Sequence, residues 1–207
     1  MNLPNQLTLS RIGMVPLMVF GLLAYKISEA QGWVTLNLWL ALIVFIIASI
    51  TDAVDGHLAR KHNLVTNFGR LMDPLADKLL VISAFVGLME LNVFSPWLVI
   101  IVLCREFLVT GLRTLGVAQN RVIQADKWGK NKTITQITAI ITAMVLLSFE
   151  NTFVYFSLFQ FQAGAAPAWW NWLREITLYA LTAAVLFTTL VSGFLYMSQN
   201  RDLLSEN

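Results

Sequence analysis

Long apolar runs broken by short charged clusters organise this chain. The stretch WVTLNLWLALIVFIIASIT, directly before Asp52, contains no charged residue. A helix that crosses a bilayer needs about 20 apolar residues. Six segments reach or approach that length, at about 11–28, 33–54, 69–91, 96–118, 130–149 and 176–198. Lipid offers no partner to an open backbone N–H or C=O, so each segment is predicted to be helical. The expected fold is an all-α membrane protein of six transmembrane helices with a short N-terminal interfacial segment, one domain spanning residues 1–207. Between Glu150 and Glu175 the pattern is less regular. Phe153, Tyr155, Phe156, Phe159, Trp169, Trp170 and Trp172 gather there, as aromatic side chains do at a membrane–water interface, and are expected to anchor the protein.

Composition agrees with the pattern. Hydrophobic residues make up 57% of the chain and charged residues 13%, far from an ordinary soluble protein. A net charge of +2 is too small to indicate a nucleic-acid partner. Cys104 is the only cysteine, so no internal disulfide forms; it reads as a small packing residue. Arg11 is the only cation before the first apolar run, and no small-residue cleavage pattern follows. That run is therefore expected to be a retained anchor. Six spans place both termini on one side, with the loops after the second and fourth helices. Of the 14 Lys and Arg, only Lys26 and Arg174 fall on the other side. The positive-inside rule then puts both termini, and the hairpin after the second helix, in the cytoplasm.

That hairpin carries the unusual chemistry. Asp52 and Asp55 are three residues apart and Asp73 and Asp77 four, so each pair shares a helix face. A short connection makes the two helices expected antiparallel neighbours whose four carboxylates converge. Two like charges about 4 Å apart repel by about 4 kcal/mol at an effective dielectric of about 20. Ionisable groups at membrane depth usually mark a functional site. Protons or cations must therefore compensate. Oxygen ligands without His or Cys suit Mg²⁺, Mn²⁺ or Ca²⁺ rather than zinc. A competing structural reading is that the aspartates only cap helices; Asp73 before Pro74 has the look of an N-cap. His57 and His62 read as solvated residues of the hairpin loop.

The residues Asp52, Asp55, Gly56, Ala59, Arg60, Gly69, Asp73 and Asp77 match D-x2-D-G-x2-A-R-x8-G-x3-D-x3-D without a departure. This resembles the CDP-alcohol phosphatidyltransferase family. The resemblance implies that Asp52, Asp55, Asp73 and Asp77 hold two divalent cations, Mg²⁺ or Mn²⁺. It makes Asp77 also the general base for the acceptor hydroxyl, and sets Gly56 and Arg60 against the CDP moiety. A homodimer in a bacterial inner membrane is expected on the same ground.

Acceptor identity depends on a second cationic cluster. Within CREFLVTGLR, Arg105 and Arg113 lie eight residues apart, about two helical turns, and so on roughly one face. Lys127, Lys130 and Lys132 open the fifth span, where free backbone N–H groups also favour an anion. Serine or inositol has little need of so much positive charge; a phosphorylated alcohol does. REFLVTGLR with GKNKT resembles the branch of the family that makes phosphatidylglycerophosphate from CDP-diacylglycerol and sn-glycerol 3-phosphate, releasing CMP. The opening NLPNQLTLSR is similar too, with Asn5, Thr8 and Arg11 at helical spacing and Asn5 and Thr8 expected near the CDP. Arg105, Arg113 and Lys130 are expected to hold the acceptor's phosphate, with Glu106 pairing to Arg105. Lys127 and Lys132 read more simply as topology-setting charges. Serine, inositol phosphate or phosphatidylglycerol remain alternative acceptors. A transporter that moves cations or protons is the reading from another class, but its charges would spread toward both faces, whereas these gather at one.

Overall fold

The computed structural model describes residues 3–27, 31–62, 67–119, 127–156 and 168–203. Within these, the side chains of residues 3–7, 25–27, 31, 52–62, 67–74, 77, 154–156, 168 and 203 lie outside the description. Six helices follow in order: α1 (Leu3–Ile27), α2 (Gln31–His62), α3 (Asn67–Glu90), α4 (Pro96–Ala118), α5 (Lys127–Phe156) and α6 (Ala168–Gln199). A 3₁₀ turn at Arg201–Leu203 ends the described chain, and no strand occurs among the described residues.

Helices α2, α5 and α6 extend past their expected apolar segments at both ends, α1 and α3 begin before theirs, and α4 has the expected bounds. Hydropathy detects only the lipid-crossing middle, whereas polar ends keep the same backbone hydrogen bonds. The N-terminal stretch from Leu3 is helical and continuous with α1. Because α2 reaches His62, His57 and His62 are helical and not loop residues. Because α3 begins at Asn67, Asp73 lies inside the helix, and the N-cap reading fails. Described residues on both sides of the aromatic segment are likewise regular helix, Asn151–Phe156 in α5 and Ala168–Glu175 in α6.

Among the described residues, three helical stretches are long and apolar enough to cross a membrane: Gly32–Thr51, Lys127–Phe153 and Trp169–Gln199. Thr8–Ala24 is a shorter apolar helix. The distribution of large side chains fits lipid outside. Met18, Leu22, Phe45, Phe85, Leu98, Ile140 and Met144 fill the core, while Phe20, Trp33, Phe107, Trp172, Phe187 and Phe194 point outward. Cys104 belongs to this outer surface of α4, so it is not a core packing residue.

Helix α1 packs against both α2 and α3, and α5 bridges α2, α3 and α6. Direct contact between α2 and α3 is sparse among the described residues, because α1 packs against both. Close approach of α1 and α2 needs Gly21: a Cβ there would lie 2.9 Å from the Asn37 carbonyl oxygen and 3.0 Å from the Ala41 Cβ. Opposed directions show in the contacts. Thr35, early in α2, donates to the carbonyl of Asn151, late in α5 (3.4 Å), and Trp39 donates its indole N–H to Thr152 (2.9 Å). The turn from α3 to α4 is equally specific. Asn92 takes φ 57°, Asn92 N–H donates to Met89 and Val93 N–H to Leu88, which is a Schellman C-cap. Ser95 then caps α4, accepting from Trp97 N–H, with Pro96 at the first helical position.

Candidate active site

At the opposite end of the bundle from the Thr35–Asn151 contact lies a cavity of about 690 Å³. All of α1 to α5 contribute to its wall. The described lining includes six cations, Arg11, Lys78, Arg105, Arg113, Lys130 and Lys132, and one acid, Glu106. So large an excess of positive charge in a partly buried space calls for an anionic occupant.

The cations are held in place by side chains of neighbouring helices. Arg105 donates from Nε to Ser192 Oγ on α6 (3.0 Å) and from a terminal nitrogen to Glu106 Oε1 (3.4 Å). Glu106 also accepts from Lys132, tying α4 to α5. Two turns along α4, Arg113 donates from Nε to Tyr196 Oη (3.2 Å), and its guanidinium carbon lies 5.8 Å from the ring centroid. Lys78 on α3 donates to Thr110 on α4. One helix, α4, is therefore the hub: it connects to α3, α5 and α6 through charged side chains.

Of the residues expected to hold an acceptor phosphate, Arg105, Arg113 and Lys130 all line this cavity together. Lys132 does too, and at 5% exposure it is no topology-setting surface charge. Lys127, by contrast, is exposed. Arg11 is buried against the cavity, and Thr8 is buried one turn before it. Asp52, Asp55, Gly56 and Arg60 lie in α2, Asp73 and Asp77 in α3, and Asn5 in α1. Their side chains are outside the described residues; only their backbone positions bear on the site. Those positions are informative. Asp52 follows the cavity-lining Ser49 by three residues, and Asp77 adjoins the cavity-lining Lys78. Both aspartate pairs thus sit in continuous helix at the cavity's end of the bundle. An all-carboxylate donor set there fits hard divalent cations.

The family model for CDP-alcohol phosphatidyltransferases matches residues 1–197. The chain belongs to this family. It is 38% identical over 207 residues to a CDP-diacylglycerol–glycerol-3-phosphate 3-phosphatidyltransferase of Bacillus subtilis, covering 98% of this chain and 97% of that one. A protein of the same name in Rickettsia bellii is 33% identical, over 94% of this chain and 93% of its own. One from Mycoplasma pneumoniae is 36% identical, over 72% of this chain and 70% of its own. The protein is accordingly a membrane enzyme of the CDP-alcohol phosphatidyltransferase type.

Ser192, Tyr196 and Gln136 belong to the site's surroundings but were not predicted. Ser192 and Tyr196 are on α6, more than eighty residues from their arginine partners, so no local spacing announces them. Gln136 did leave a signal. It is a lone amide in the apolar run ITQITAIITA, four residues after Lys132 and hence on the same helix face.

Proposed function

We propose that this enzyme transfers the phosphatidyl group of CDP-diacylglycerol to sn-glycerol 3-phosphate, forming phosphatidylglycerophosphate and CMP. The observation that carries the reading is the cavity itself, with six described cations against one acid, beside the aspartate-bearing ends of α2 and α3. The names of the relatives agree with it. Arg105, Arg113 and Lys130 hold the acceptor's phosphate, which fixes where its hydroxyl points. Arg113, gripped through Nε by Tyr196, keeps its terminal N–H groups for the phosphate oxygens. Gly56 and Arg60, with Asn5 and Thr8, face the CDP portion of the donor.

Asp77 takes the proton of the acceptor hydroxyl as its oxygen bonds to the lipid-linked phosphorus, and the bond from that phosphorus to CMP breaks. Asp52, Asp55, Asp73 and Asp77 would hold two Mg²⁺ or Mn²⁺ ions, which when bound supply charge neutralisation for the pyrophosphate oxygens and the departing CMP. The chain acts as one domain and as a homodimer, with both termini and the site on the cytoplasmic face of the bacterial inner membrane.

The test is CMP release by purified protein given CDP-diacylglycerol and Mg²⁺ or Mn²⁺. Glycerol 3-phosphate, serine and inositol phosphate are offered one at a time. Release is expected with glycerol 3-phosphate only, to be abolished by EDTA and by Asp77→Asn. Release with serine alone would overturn the acceptor, and silence with every acceptor would overturn the reaction.

A further inference from the structure

Among the described lining residues, Gln136 is a neutral polar group to which the transfer scheme gives no role. Gln136 is 1% exposed, lines the cavity, and its Nε2 has no hydrogen-bond partner among the described residues. A buried amide donor without a partner is costly, so the arrangement favours an occupant that supplies one. Other neutral groups of the lining have already committed their donors within their own helices. Ser49 donates to the Phe45 carbonyl (2.8 Å), Thr110 to Glu106 (2.6 Å) and Thr133 to Gly129 (3.2 Å). Gln136 stands four residues, about 6 Å along α5, beyond Lys132. Lys132 in turn pairs with Glu106, which also accepts from Arg105. The amide thus shares one cavity with the arginines proposed to hold the phosphate, one turn of α5 from the Lys132–Glu106–Arg105 chain.

The chemistry of that alcohol divides the roles. Its phosphate requires charge, which the cations supply. Of its two hydroxyls, the primary one reacts and loses its proton. The secondary hydroxyl stays neutral and needs both a donor and an acceptor, and a carboxamide offers both.

We propose that Gln136 is a specificity-determining residue that binds the non-reacting C2 hydroxyl of the acceptor, donating to its oxygen from Nε2. The assignment rests on glycerol 3-phosphate being the acceptor. It selects acceptors that carry a hydroxyl next to the attacking one.

The experiment compares glycerol 3-phosphate with 3-hydroxypropyl phosphate, which keeps the phosphate and the primary hydroxyl but lacks the C2 hydroxyl. CMP release is followed for the full-length wild type and for Gln136→Met and Gln136→Leu, two apolar replacements of which either suffices if it folds. Wild type should favour glycerol 3-phosphate in kcat/KM by roughly tenfold, the worth of a good neutral hydrogen bond. The variants should bring that ratio to about one by losing efficiency with glycerol 3-phosphate alone. A preference that survives in the variants overturns the proposal. So does an equal loss with both acceptors, which would put the amide on the phosphate or in a packing role. Failure of the broader reading looks different, since wild type itself would then release no CMP with glycerol 3-phosphate.

Discussion

Two arginines on α4 illustrate how neighbouring side chains prepare the proposed phosphate site. Arg105 and Arg113 each carry five N–H donors, more than an anion can use. The Nε of each is taken by an α6 hydroxyl, Ser192 for Arg105 and Tyr196 for Arg113. That choice immobilises the fork and leaves terminal N–H groups facing the cavity. Gly193 takes part by its small size, since a Cβ there would sit 3.3 Å from the Arg105 Cγ. Arg113→Ala should therefore raise the KM for glycerol 3-phosphate by roughly ten- to a hundredfold, the range for a hydrogen bond to a charged group. The KM for CDP-diacylglycerol should hardly move. Tyr196→Phe keeps the ring and loses only the hydroxyl, so a rise of a few-fold is expected. Steady-state kinetics with the two substrates varied separately checks both, and an unchanged KM in Arg113→Ala would move the acceptor site elsewhere.

At the level of helices, Glu106 is what fastens α5 to α4. It accepts from both Arg105 and Lys132, and the side chains of Glu106 and Lys132 are only 12% and 6% exposed. Removing one member of a buried pair strands the other, at about 3–5 kcal/mol. Glu106→Gln should accordingly lower the thermal unfolding midpoint in detergent and weaken acceptor binding together. Glu106→Gln combined with Lys132→Met removes the stranded charge. It should recover much of the midpoint without recovering acceptor binding, and equal recovery of both would mean that Glu106 serves packing only. Sequence spacing revealed part of this element. Arg105 and Arg113 at two turns on one face could be read from α4 alone, because helical periodicity is local. The burial of Lys132 could not, because it depends on which face α5 turns toward α4. Helix ends escaped for a related reason: residues such as His57 and Asp73 lie beyond or beside the apolar middle, yet the backbone ladder continues through them. The aspartate spacing was legible in full, but spacing alone could not show that α1 packs against both arms of the hairpin.

Across the whole molecule, polarity is segregated end to end. One end gathers the cavity, its six described cations and the aspartate segments; the other has the Glu150–Arg174 ion pair (2.7 Å) and an aromatic cluster. In that cluster Phe153 stacks on Phe149 at 6.0 Å and meets Trp170 edge-on at 5.6 Å, while Trp169 and Trp172 are exposed, as befits an interface anchor. Such a division matters because the two substrates live in different phases. Acyl chains stay in lipid, whereas the nucleotide and glycerol phosphate are charged and cannot cross it. Chemistry on both is possible only at the depth where the cavity meets water. Orientation then decides which compartment supplies the acceptor, and the proposed topology, argued from the asymmetry of Lys and Arg, has the cavity end in the cytoplasm. Single cysteines at Gln31 and Ser205, each in a Cys104→Ala background, test this with a membrane-impermeant maleimide on intact cells. Gln31→Cys, at the far end, should label from outside, and Ser205→Cys only after permeabilisation. The reverse pattern would place the cavity outside, where cytoplasmic glycerol phosphate could not reach the arginines, and the proposed acceptor would fall with the topology.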